Sequence, residues 1–156
     1  MVKRLCAVAA ISAGLLGCTP LPTLSPPAKT ASAPCQQANK CTVQIYFDAQ
    51  GNPSADIDEI VVSHANAHLW WVLLDKGCSF VASSGVLLKD PNGDPSGQFD
   101  QKYVADDSEQ QLQLGQHGAR YHWRDKYLTM GRTQYELNFT CNGRPFHIDP
   151  SIKNGN

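Results

Sequence analysis

The chain has 156 residues, 42% of them hydrophobic, 17% charged and 8% aromatic, with a formal net charge of −1. That is the size of one domain with little room for a second, and the near-balanced charge leaves neither a basic footprint for nucleic acid nor an acidic disordered tail. No apolar run reaches the roughly 18–20 residues that a membrane-spanning helix needs.

Met1-Val2-Lys3-Arg4 is a short basic start, and Leu5 to Leu16 is an apolar stretch of small and aliphatic residues. Its length suits the hydrophobic core of an export signal rather than a membrane span. The stretch ends in Leu15-Leu16-Gly17-Cys18, which resembles the bacterial lipobox. The resemblance implies that residues 1–17 are a lipoprotein signal peptide and that Cys18 becomes the mature, acylated N-terminus, with palmitate among its chains. Thr19 stands where bacterial sorting rules place Asp for inner-membrane retention, so the implied address is the outer membrane, with the folded part in the periplasm or at the cell surface. The alternative is an ordinary secretory signal that happens to lie beside Cys18. Without residues 1–17 the chain carries 11 basic and 14 acidic residues, a net −3.

Residues 18–34 comprise Cys18 and TPLPTLSPPAKTASAP, which holds five of the ten prolines and no aromatic residue. Such a segment buries no core and favours extended, polyproline-like conformations. At about 3.1 Å per residue it would hold residues 35–156 up to roughly 50 Å from the bilayer. Cys35, Cys41, Cys78 and Cys141 are an even set in an oxidising compartment, and four cysteines allow three pairings. Chain proximity favours Cys35–Cys41, which leaves Cys78–Cys141. The functional alternative is that one thiol is a metal ligand or a nucleophile, although no C-x-x-C motif occurs.

From Cys41 onward short apolar runs alternate with turn formers. Thr42 to Phe47 has the period-two pattern of a half-buried strand. Ile57–Val62, Leu69–Leu74, Ser79–Val81, Val86–Leu88, Gln98–Val104, Gln111–Leu114, Ala119–Trp123 and Tyr135–Thr140 follow as further strand candidates. Val61–Leu74 is long enough for one helix, but its Val and Trp content favours strand. Gly and Pro punctuation every 8–12 residues suits an all-β, single antiparallel sandwich of about 7–9 strands over residues 35–156, stapled by disulfides.

His68-Leu69-Trp70-Trp71-Val72-Leu73, Cys78-Ser79-Phe80, Gly85-Val86-Leu87-Leu88, Tyr121-His122-Trp123-Arg124-Asp125 and Leu137-Asn138-Phe139-Thr140 lead to Ile148-Asp149-Pro150-Ser151-Ile152-Lys153-Asn154. In these pieces residues 57–155 resemble a group of small exported proteobacterial proteins with a cupredoxin-like or immunoglobulin-like sandwich. The resemblance implies a fold and an exported setting and brings no activity with it.

A cupredoxin-like fold raises blue copper, which takes two His and one Cys with a weak axial ligand. Cys141 and His147 have five residues between them, with His64 or His68 as second imidazole, but the spacing is wide and no Met follows. His64 and His68 would share one face of a helix but do not converge in a strand or turn. No metal or other cofactor is expected, and these histidines stay as outside candidates. Asp90, Asn92 and Asp94 begin like a calcium loop, but Pro95 and Gln101 stand where that loop needs Gly and Glu; Asp, Asn, Gly and Pro are also ordinary turn formers.

For catalysis, Ser63-His64 and Ser83-Ser84 come without a nucleophile elbow, and Asp106, Asp107 and Glu109 read as a solvated loop rather than a carboxylate pair. No enzyme is expected. Trp70 and Trp71 are adjacent, so in a strand they face opposite ways and only one can fill the core. Together with Trp123 they are the candidate binding aromatics, because exposed aromatic residues often anchor interfaces. The expectation is an outer-membrane lipoprotein, held to the membrane by its lipid, with a non-enzymatic domain that binds a protein or envelope component. A periplasmic copper carrier, an inhibitor or immunity lipoprotein against a cell-envelope hydrolase, and a structural lipoprotein of an envelope complex are the alternatives.

Overall fold

The computed structural model describes residues 26–35, 39–75, 77–105 and 118–155. Among them there is no helix, and hence none long and apolar enough to cross a membrane. Twelve strands run in chain order: β1 Ala33–Pro34, β2 Lys40–Phe47, β3 Pro53–Ala55, β4 Glu59–Val62, β5 Ala67–Leu73, β6 Cys78–Phe80, β7 Val86–Leu88, β8 Phe99–Ala105, β9 Arg120–Asp125, β10 Gly131–Cys141, β11 Arg144–Ile148 and β12 Ser151–Asn154. Seven form one sheet, ordered β1-β4-β12-β10-β11 with β6 and β7 also on β10, and five form the other, ordered β3-β2-β5-β9-β8. The two sheets enclose a core to which β2, β5 and β9 contribute from one side and β4, β10 and β12 from the other.

Period-two sequence builds each layer. In β5, Ala67, Leu69, Trp71 and Leu73 point inward, while His68 and Trp70 are only half-buried on the other face. In β9, Tyr121 and Trp123 join the core, and in β10 Tyr135, Leu137, Phe139 and Cys141 do so from the opposite sheet. Trp71 stands edge-on to Trp123, ring centroids 5.5 Å apart, and donates its Nε1–H to Tyr135 Oη across the layers at 2.9 Å. Burial pushes the Tyr135 hydroxyl far above the ordinary phenol range, so it stays protonated.

Two expectations about the architecture need correction. The sheets are mixed rather than antiparallel: β2 pairs β5 in parallel, and so do β4 with β12 and β1 with β4. Among the described residues the strand count is twelve rather than 7–9. Parallel pairing needs a crossover instead of a tight turn; here the chain leaves β2, passes through β3 and β4, and returns as β5, so no local signal announces it. The extra strands are short or sit where Pro masks them. β1 ends in Pro34, tolerated because β1 is an edge strand.

The last part of the Pro-rich stretch therefore belongs to a sheet. Thr30 bridges Ile57, Ala33 and Pro34 pair with Ile60 and Val61, and Lys29 pairs with Asp58 at 3.1 Å. The Glu59 carboxylate accepts from Ser32 Oγ at 3.3 Å and Ser151 Oγ at 3.2 Å and pairs with Arg132 Nε at 2.5 Å. Burial pushes that carboxyl up, and the Arg132 and serine contacts outweigh it and hold it below its ordinary range. The disulfides join Cys35 to Cys41 and Cys78 to Cys141. The first closes the corner where β1 meets β2, and the second locks the paired residues of β6 and β10.

Candidate functional site on the outer face of the five-stranded sheet

Strand register sets three rows of side chains across the outer face of β2, β5, β9 and β8. Lys40, His68, Arg124 and Asp100 make the first row; Thr42, Trp70, His122 and Tyr103 the second; Gln44, Val72, Arg120 and Ala105 the third. The middle of this grid is an aromatic cluster. His122 is 1% exposed although it points away from the core. Trp70 lies over it at 4.4 Å between ring centroids and Tyr103 at 4.7 Å, and Trp70 meets Tyr103 edge-on at 6.1 Å. Tyr103 remains 45% exposed.

A β-bulge aims the hydrogen bond that orients the buried imidazole. Between the pairs Asp100–Arg124 and Tyr103–His122, β8 carries one residue more than β9, and Gln101 takes a positive φ of 50°. Bulges re-aim the groups beside them; here the Gln101 carbonyl sits 2.8 Å from His122 Nδ1. A carbonyl only accepts, so Nδ1 carries the proton and Nε2 is left with the lone pair. His68 Nδ1 lies 2.9 Å from that Nε2 and donates to it. The ring centroids are 5.1 Å apart, the spacing of two imidazoles meeting end to end. Among the described residues no hydrogen bond reaches His68 Nε2. Burial is the main cause that pulls the His122 pKa below the ordinary imidazole value, with His68 and Arg124 adding to it against the Gln101 bond and Asp100.

The first row is electrostatically arranged. Arg124 grips Asp100 with two bonds, Nε to Oδ1 at 2.7 Å and Nη2 to Oδ2 at 2.6 Å, and Lys126 Nζ lies 4.0 Å from the same carboxylate. The Arg124 bonds hold the Asp100 carboxyl below its ordinary range. Arg120 lies over the Trp70 ring at 5.9 Å.

The residues singled out from the sequence part company here. Of the three tryptophans only Trp70 reaches this face; Trp71 and Trp123 are 0% and 1% exposed in the core, so neither offers a surface to a partner. Strand alternation explains both. His64 lies exposed in the loop before β5, which turns at Asn66 with φ 60°, and His147 lies on β11 of the other sheet opposite Asn138. Cys141 is bridged to Cys78 and offers no thiolate, so His64, His68, His147 and Cys141 make no common metal site. Among the described residues no three His, Cys, Asp or Glu side chains converge as metal ligands.

In the 90–97 loop the carboxylates face backbone amides. Asp90 accepts from Asn92 N at 2.8 Å, and Asp94 accepts from Gln98 N at 2.8 Å and Phe99 N at 2.7 Å. Ser83 and Ser84 lie in the turn between β6 and β7, and Ser63 lies exposed just after β4. Cys18, Asp106, Asp107, Glu109 and the strand expected at Gln111–Leu114 lie outside the described residues. Sequence reasoning passed over His122, Tyr103 and the Asp100–Arg124 pair. The signal for His122 was present, since it alternates with Tyr121 and Trp123, but the register that sets it beside Trp70 is tertiary.

No protein-family model and no curated protein matches this chain.

Proposed function

We propose that the protein is an outer-membrane lipoprotein, anchored through Cys18, whose two-sheet fold of immunoglobulin-like or cupredoxin-like type binds a component of the cell envelope. It works without catalysis, and the binding surface is the outer face of the five-stranded sheet. The observation that carries this reading is the Trp70–His122–Tyr103 cluster: large rings assembled on the solvent side of a sheet whose core is already filled by Trp71 and Trp123. Aromatic rings held rigid by their neighbours lose little conformational entropy on binding, which suits them as anchors. The imidazoles bond to each other and to a backbone carbonyl, an arrangement that positions a surface rather than activates a nucleophile.

Co-sedimentation of residues 19–156 with isolated cell envelopes tests the reading. The expected result is saturable binding that Trp70→Ala weakens about tenfold or more, the loss of one interface anchor. Equal binding by wild type and variant would remove the face from consideration.

A further inference from the structure

We infer that the outer face is a subsite for an acidic saccharide, one whose rings pack against Trp70 and Tyr103 while its carboxylate meets the Lys40–His68–Arg124 row. The inference rests on the binding face proposed above and adds its ligand class.

The ligand class follows from what the grid offers. The centre of a protein–protein interface is apolar and closely packed. Here the aliphatic members of the grid are Val72 and Ala105, 4% and 8% exposed, and the rings are flanked by the polar Thr42 and Gln44 of β2. Sugar rings suit such a surface, since their C–H faces lie on aromatic planes while their hydroxyls bond polar neighbours. The charge follows from the first row. Lys40 and Arg124 flank His68 across the strands, and the carboxylate in the row, Asp100, is held by Arg124 with Lys126 beside it. A chain of net charge −1 thus gathers cations on this face, which is complementary to an anion.

The test is a titration of residues 19–156 with trigalacturonate and with neutral maltotriose, followed by isothermal titration calorimetry so that wild type and Trp70→Ala are read by the same signal. Trigalacturonate should bind about fivefold tighter than maltotriose, the worth of one exposed ion pair, and Trp70→Ala should weaken it about tenfold or more; near-ultraviolet circular dichroism verifies that the variant folds. Equal affinity for the two saccharides, or binding of neither while envelopes still bind in a Trp70-dependent way, overturns the ligand class but not the face. Binding unchanged in Trp70→Ala overturns the face itself.

Discussion

His122 and Asp125 are both buried polar residues of β9, and each carries a perturbed proton affinity with an opposite consequence for stability. Burial depresses the His122 pKa. The unfolded chain therefore takes up a proton below about pH 6.5 that the folded chain refuses, and stability falls as pH drops through that point. Asp125 points to the core side, and burial raises its pKa despite hydrogen bonds from Tyr127 N and Asn154 Nδ2. The folded chain keeps a proton that the unfolded chain releases above about pH 3.9, so stability falls as pH rises from there. Among the described residues Asp125 Oδ2 and Asn154 Oδ1 are buried without partners, so Oδ2 has no donor to stabilise a charge. Melting temperature against pH should show both slopes in the wild type. Asp125→Asn, which keeps the shape and removes the ionisable group, should lose the slope above pH 3.9 and melt higher at neutral pH. A lower neutral-pH melting temperature for that variant would contradict a carboxyl whose charge is penalised by burial. At this scale the sequence was half-legible: Trp70 against Trp71 followed from alternation, whereas the imidazole pair needed the β5–β9 register and a bulge at Gln101 that no local residue pattern announces.

At the scale of elements, β10 is the strand on which the seven-stranded sheet depends, pairing with β6, β7, β11 and β12. The Cys78–Cys141 bridge pins its end and spans a sequence separation of 63. Closing a loop of that size removes unfolded-chain entropy worth about 4 kcal/mol at 25 °C. The double variant Cys78→Ala, Cys141→Ala should therefore lose about that much in urea unfolding, while loss of the short Cys35–Cys41 loop should cost about 2 kcal/mol. A larger penalty for the short loop would show that the corner beside β1, not loop entropy, dominates. Most of the longer strands were readable as period-two runs, Thr42–Phe47 and Tyr135–Thr140 above all, because one face meets the core and the other does not. β1, β3, β11 and β12 were not, since two to five residues with Pro or polar content carry no period. Ser151–Asn154 becomes a strand only because β4 and β10 flank it.

For the molecule as a whole, residues 30–34 dock beside β4 and so drop out of the proposed tether. On the proposed anchoring through Cys18, Cys18 to Lys29 is 12 residues, which at about 3.1 Å each would span roughly 37 Å, not 50 Å. Residues 18–156 carry a net −3, yet Lys40, Arg120 and Arg124 lie together on the outer face of one sheet. Composition averages over the surface and hides such a cluster. The central claim is that the five-stranded sheet, not the seven-stranded one, meets the envelope partner. A photo-crosslinking amino acid placed at Tyr103, and separately at the equally exposed Leu87 of β7, tests it in living cells. The account predicts a covalent adduct from position 103 and none from position 87; an adduct from position 87 alone would contradict it.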